Sequence, residues 1–318
     1  MSIAVRYRHN PILSPSASDW EARGAFNGTV IAGDDGFHML YRAQSTEHHI
    51  GEHTLEVSSI GHAISFDRVH FLNKRQLIVP SESWDLFGCE DPRVTRIEST
   101  YYISYTALSA WPPHPRGVSV GLATTKDFFS LENKFHLTPF NSKAFTLFPE
   151  KIRGSYAALL TANCDIPPST IGIALAQSID DFSNHSFWKS WYASLSSHAL
   201  PLLRSTHDHV EIGAQPLLTT YGWLLIYSYI RSYNTSHKFF GIEAVLLDHD
   251  SPQRIIKHTQ EPILFPEETY KREGNVANIV FPSGAIIHNN TVGIYYGAAD
   301  TTTCLATCAL DELISSMK

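Results

Sequence analysis

The segment Gly88-Cys89-Glu90-Asp91-Pro92-Arg93-Val94 sets two adjacent carboxylates beside an arginine, with a proline stiffening the chain between them. Carboxyl groups this close couple their proton affinities, because ionising one raises the cost of ionising the other. Such a pair is suited to proton transfer, although a solvated turn with a surface ion pair would use the same residue types. Three further carboxylates stand beside apolar runs: Glu211 in Asp208-His209-Val210-Glu211-Ile212-Gly213, Glu273 in Tyr270-Lys271-Arg272-Glu273-Gly274, and Asp300 closing Tyr295-Tyr296-Gly297-Ala298-Ala299-Asp300. Singly, each also reads as a strand-end charge, a member of an exposed Lys-Arg-Glu run or a turn former. Together, with Trp and Tyr platforms nearby, they point to carbohydrate chemistry. Cleaving an acetal needs a proton donor for the leaving oxygen and a base or nucleophile on the other face, and two carboxyl groups supply both.

Motifs for other chemistries are missing. There is no Gly-rich phosphate loop, no Gly-x-Ser-x-Gly elbow and no His-Glu-x-x-His helix. His207 and His209 form a His-x-His pair without an evident third ligand, and Cys304 with Cys308 cannot close a zinc site alone. Neither a metal nor a cofactor is expected.

The elements that must position these carboxylates follow from an internal repeat. An aromatic, β-branched strand recurs at 37–43, 101–107, 156–160, 223–228 and 292–297. After a variable loop comes a second strand of the form Gly-x-Ala-x-Ser-x-Asp, at Gly61–Asp67, Gly121–Phe128, Gly172–Asp180, more loosely Gly241–Asp248, and Leu305–Asp311. The period-two alternation indicates strands. Five such units of antiparallel sheet closed in a ring would remove exposed edges, and would bring the carboxylates at equivalent entries to one pore. The fold expected is all-β, a five-bladed β-propeller forming one domain over 1–318, with the aromatic strands innermost. A two-domain β-sandwich is the alternative, since spacing alone does not distinguish blades from sandwich strands. Helix is expected only at 311–317.

Composition sets the outer bounds. Hydrophobic residues make up 43% and aromatics 12%, enough for a large core without disulfides. The net charge of −7 disfavours nucleic acid, and no run of about 18 apolar residues suggests a membrane span. The four cysteines, Cys89, Cys164, Cys304 and Cys308, show no paired framework, which together with the N-terminal sequence suits the cytoplasm. Homo-oligomerisation stays open.

Against this background the chain resembles glycoside hydrolase family 130, the inverting β-mannoside phosphorylases and β-1,2-mannosidases. The likeness runs from Asn10-Pro11-Ile12-Leu13 to Asp300. It is carried by Glu90-Asp91-Pro92-Arg93, Leu147-Phe148-Pro149-Glu150-Lys151-Ile152, Gly222–Tyr227, Asn278-Ile279-Val280-Phe281-Pro282 and Tyr295–Asp300. The resemblance implies the five-bladed propeller and a β-mannoside oligosaccharide as substrate. It makes Asp91 similar to the family's proton donor, acting through a hydroxyl of the bound mannose. It makes Asn27, Arg42, Ser65, Glu90, Arg93, Lys151 and Asp300 similar to sugar-pocket positions. Phosphorylases of the family carry extra basic residues near Phe-Pro-x-Lys and in a later Leu-x-Arg-Pro stretch. Here Glu150 and Leu159-Leu160-Thr161-Ala162 stand in those places. Glu211 and Glu273 are similar to the family's hydrolases, which implies an inverting mannosidase, β-1,2 in preference, that uses water. A phosphate-dependent phosphorylase is the alternative, and a non-catalytic sugar-binding propeller a weaker one.

Overall fold

A computed structural model describes residues 3–266 and 279–318. After a short strand β1 (Val5–Arg6), the chain runs through five antiparallel meanders. The first comprises β2 (Gly24–Ala32), β3 (Phe37–Ile50), β4 (His53–Ser65) and β5 (Leu72–Ile78). The second comprises β6 (Gly88–Ile97), β7 (Thr100–Leu108), β8 (Val118–Thr125) and β9 (Asn133–His136). The third holds β10 (Ser142–Leu147), β11 (Tyr156–Ala162) and β12 (Thr170–Ala176). The fourth holds β13 (His209–Ile212), β14 (Leu217–Thr219), β15 (Gly222–Arg231), β16 (Phe239–Leu247) and β17 (Ile255–His258). The fifth is β18 (Val280–His288), β19 (Thr291–Ala298) and β20 (Thr302–Ala309), to whose edge β1 adds. Single parallel pairs, Ala25 with Thr302 and Ser58 with Gly88, join the fifth meander to the first and the first to the second. The third and fourth are separate sheets, so hydrogen bonding does not close a ring among the described residues.

Packing links the meanders more fully than hydrogen bonds do. Leu40 and Ile60 of the first meet Val94 and Ile103 of the second, and Val120 and Leu122 meet Phe145 and Leu160 of the third. Leu159 packs with Val210 and Trp223, Leu224 and Ile242 with Ile294 and Tyr296, and Tyr295 and Leu305 with Met39 and Ala25. Each meander therefore buries its apolar face against the next, and the fifth against the first. Burial of this kind supplies most of the driving force for folding.

The aromatic strands expected to be innermost are the second strands, β3, β7, β11, β15 and β19. The first strands are the ones that pack on one another: β2 on β6 and β18, and β10 on β6 and β13. Gly213 and Pro282 bring the fourth and fifth together so closely that a Cβ on Gly213 would stand 2.6 Å from the proline ring. The expectation failed because every first strand is bulged, which breaks the period-two pattern. Register slips by one residue between Phe26 and Thr29, Glu90 and Arg93, Lys143 and Thr146, and Pro282 and Gly284. In the fourth meander the Gly213 and Ala214 amides both donate to the Ile226 carbonyl, at 3.0 and 3.1 Å.

The recurrent glycine of the third strands has a packing cause. Gly61 and Gly121 lie under the rings of Tyr41 and Tyr105, where a Cβ would come within 2.4 Å of the ring. Those tyrosines then reach buried carboxylates: Tyr41 donates to Glu21 Oε2 at 2.7 Å and Tyr105 to Asp85 Oδ2 at 2.9 Å. Lys74 and Lys134 complete the two clusters.

Helix is more frequent than expected. Besides the C-terminal helix Leu310–Ser316, helices α1 (His185–Ala193) and α2 (Leu195–His198) leave the third meander. Asn184 caps α1 by accepting the Ser186 amide at 2.8 Å, and Trp188 and Trp191 bury its inner face. None of the described helices is long and apolar enough to cross a membrane. None of the four cysteines is in a disulfide.

Candidate active site

The bulges decide what enters the centre. Asn27, Asp91 and Ala144 take left-handed backbone, with φ of 51°, 49° and 50°. Asn and Asp tolerate this region because their short polar chains bond locally, whereas Ala has no such compensation. Each bulge turns a side chain from the sheet face toward the cleft. The result is a cleft of about 220 Å³ lined by residues of all five meanders.

One wall is a hydrogen-bonded carboxylate array. Asn27 Nδ2 donates to Asp91 Oδ1 at 2.7 Å, and Arg42 Nη1 lies 3.8 Å from the same oxygen. Arg42 Nη2 pairs with Glu90 Oε1 at 2.6 Å, while Ser58 bridges them, accepting from Arg42 Nε at 2.9 Å and donating to Glu90 at 3.2 Å. Oδ2 of Asp91 has no protein partner among the described residues. Gly297 makes room for Asn27, since a Cβ there would stand 1.9 Å from Asn27 Oδ1. Asp300 completes this wall. Burial first, and then Asp91 and Glu90, push its carboxyl up to about 6 despite Arg42. Burial and Asp91 likewise raise Glu90, with Arg42 opposing.

The other wall carries cations and aromatics. Lys143, on β10, Lys238 and Tyr233, on the β15–β16 hairpin, and His209 and Glu211, on β13, all line it. His209 stacks on Tyr233 with centroids 4.2 Å apart, and its buried Nδ1 has no hydrogen-bond partner among the described residues. Among the described residues the Glu211 carboxylate makes no hydrogen bond; His209 Nε2 lies 3.9 Å from Oε2. Burial works against the Lys143 charge, but Asp165 and Glu211 outweigh it, so the ammonium is held firmly protonated. Phe240, Ile279 and Phe281 form the apolar rim.

Of the residues singled out from sequence, Asn27, Arg42, Glu90, Asp91, Glu211 and Asp300 come together here. Arg93 is 1% exposed and lies behind the site, donating to the carbonyls of Asp91, Pro92 and Ile212 at 2.9–3.0 Å. It braces the bulge and is not among the residues lining the cleft. Ser65 is also displaced from the pocket: it caps a turn at the far end of β4, bonding Asp67 and the Arg68 amide. Lys151 is exposed over the ring of Tyr156, 4.3 Å from its centroid, because Phe148-Pro149-Glu150-Lys151 leads into an outward turn. Glu273 falls outside the described residues.

Lys143, Tyr233 and Lys238 were not anticipated, and His209 was weighed only as a metal ligand. Among the described residues no group of three or more His, Cys, Asp or Glu is placed to hold a metal ion. Thr161, where an arginine was looked for, is buried and accepts the Ile212 amide at 3.1 Å. The basic residues of the pocket come from other positions, so the missing arginine does not leave the site without cations.

The sequence profile of a family described as β-1,4-mannooligosaccharide phosphorylase matches residues 6–318. A 1,2-β-oligomannan phosphorylase of Thermoanaerobacter sp. (strain X514) is 32% identical over 315 residues, covering 97% of this chain and 98% of that protein. A β-1,2-mannobiose phosphorylase from the same organism is 31% identical, covering 93% and 94%. Among solved structures, β-1,2-mannobiose phosphorylase of Listeria innocua in complex with β-1,2-mannobiose superposes with a TM-score of 0.79 at 26% identity, covering 98% of each chain.

Proposed function

The chain belongs to glycoside hydrolase family 130, and from that membership we propose that it cleaves β-1,2-mannosides with inorganic phosphate, releasing α-mannose 1-phosphate. The observation carrying this reading is the facing of two walls: a carboxylate array around Asp91 on one side, and the ammonium groups of Lys143 and Lys238, beside His209 and Glu211, on the other. Phosphate brings negative charge into a low-dielectric cleft and needs cations there, whereas attacking water needs none. The names of relatives at 31–32% identity support the same acceptor and the β-1,2 linkage. Hydrolysis, favoured by sequence on Glu150 and Thr161 together with Glu211 and Glu273, loses the part of that support that rested on missing cations once Lys143 and Lys238 are counted.

In this reading a phosphate oxygen forms a bond to C1 of the mannose as the C1–O glycosidic bond breaks, inverting the anomeric centre. The electron pair goes to the leaving oxygen, which takes a proton that Asp91 supplies through a sugar hydroxyl. Asn27 and Arg42 hold Asp91 Oδ1, so Oδ2 is presented to the sugar. Glu90, Glu211 and Asp300 accept sugar hydroxyls, and Glu273 is retained as a site residue on the family resemblance alone. The five packed meanders are read as blades of one propeller domain spanning 1–318. A charged product that cannot cross a membrane, and four cysteines outside any disulfide, fit a cytoplasmic enzyme. Steady-state rates on β-1,2-mannobiose with phosphate varied provide the test. Saturable dependence, from near zero without phosphate, is expected; a rate indifferent to phosphate contradicts the proposal.

A further inference from the structure

Lys143 occupies in β10 the place that Glu90 occupies in β6. Each is the last paired residue before the bulge, opposite Thr161 and Thr106 respectively, and each precedes a residue at positive φ. A lysine on a flexible four-carbon stem is not located by its backbone alone. Three carboxylates act on its charge, Asp165, Glu211 and Glu90. Among the described residues only Asp165 touches it, with Oδ1 3.3 Å from Nζ. Asp165 is itself fixed: its Oδ2 accepts from Asn141 Nδ2 at 2.8 Å, and its amide donates to Asn141 Oδ1 at 2.9 Å. Asn141 Nδ2 also donates to the Pro115 carbonyl at 3.0 Å, tying the clamp to the second meander. Asp165 does not line the cleft.

We infer that Asp165 is a positioning residue that holds the Lys143 ammonium on the acceptor side of the cleft, within reach of phosphate and out of direct contact with Glu211 and Glu90. The inference rests on the phosphorolysis reading. Without Asp165 the ammonium would be drawn onto Glu211 or Glu90, where it would occupy hydroxyl-accepting oxygens and leave phosphate with one cation fewer.

A double-mutant cycle tests this, with Asp165→Asn, Lys143→Met and the double variant, each assayed with phosphate and β-1,2-mannobiose varied separately. Asparagine keeps a carbonyl for Asn141 while removing the charge that holds the lysine. Asp165→Asn is expected to raise KM for phosphate about tenfold while moving KM for mannobiose less than twofold. In the Lys143→Met background the same change is expected to leave KM for phosphate within twofold, because the group it positions is gone. Equal effects in both backgrounds, or an unchanged KM for phosphate in a phosphate-dependent wild type, would overturn the inference. A wild type that turns over without phosphate would sink the functional reading, and this inference with it. Should Asp165→Asn fold poorly, Asn141→Ser, which loosens the clamp without touching Lys143, is expected to show the same selective rise in KM for phosphate, and no rise would contradict the role.

Discussion

Glu243 and Glu211 lie on the same meander and both are buried, but their surroundings differ sharply. Glu243 receives Arg204 through two bonds, at 3.0 and 2.5 Å, and the hydroxyl of Tyr227 at 2.8 Å. Glu21 and Asp85 are held the same way, each by a tyrosine and a lysine. Among the described residues Glu211 has no such donors. A buried carboxylate without donors is costly unless something else supplies them. Glu243, Glu21 and Asp85 are thus complete within the protein; among the described residues Glu211 and Asp91 Oδ2 lack such donors, which suits groups that bind a polyhydroxylated ligand. The contrast separates structural from functional acid groups where burial alone does not.

The largest effect is expected from Asp91→Asn, which cannot deliver a proton. Turnover should fall by roughly 10²–10⁴-fold with the unfolding midpoint nearly unchanged, since general acid catalysis is worth about that much. Wild-type-like turnover in the folded variant would place the acid elsewhere. Glu243→Gln is expected to do the reverse, leaving Arg204 with an unpaired charge. Removing one partner of a buried pair costs about 3–5 kcal/mol, and the partial exposure of Arg204 puts the loss toward the lower figure. Urea denaturation should show this loss for Glu243→Gln and less than about 1 kcal/mol for Glu211→Gln. Equal losses would erase the distinction between the two glutamates.

A smaller effect concerns Asp300, whose carboxyl is pushed up to about 6, mainly by burial. A raised folded-state value means that the folded protein holds this proton where the unfolded chain has lost it. Stability from this group is therefore present below about pH 4 and lost as pH rises through 6. Asp300→Asn is expected to be more stable than wild type at pH 7, with the gap closing near pH 4, as denaturation at a series of pH values would show. A gap independent of pH would mean the carboxyl is not perturbed as described. The smallest effect belongs to Lys151→Ala. With Lys151 exposed outside the cleft, both KM values should stay within twofold, and a large rise for mannobiose would return the outward turn to the site.

Much of this division was legible in the sequence, for identifiable reasons. Third strands carry the Gly-x-Ala pattern because Tyr41 and Tyr105 need glycines beneath them, so the repeat could be read directly. First strands were obscured by their bulges, although Asn27-Gly28 and Asp91-Pro92 carry the turn chemistry that marks such a break. Lys143 gave no warning, because Ala144 is an unusual residue for positive φ and no turn former flags the bulge. Tyr233 and Lys238 sit in a polar hairpin connection whose fold over the cleft is a tertiary fact. Helix α1 carries its own signal in the Asn184 cap and the spacing of Trp188 and Trp191, but it is a short insertion within a strand repeat whose period-two pattern dominates its flanks.

The decisive measurement is the identity of the product when β-1,2-mannobiose is incubated with the wild-type protein and inorganic phosphate and followed by phosphorus and proton NMR. Phosphorolysis by the facing walls of the cleft is expected to give α-mannose 1-phosphate and mannose in equal amounts, with no turnover when phosphate is withheld. Two equivalents of free mannose, formed at the same rate with or without phosphate, would contradict it.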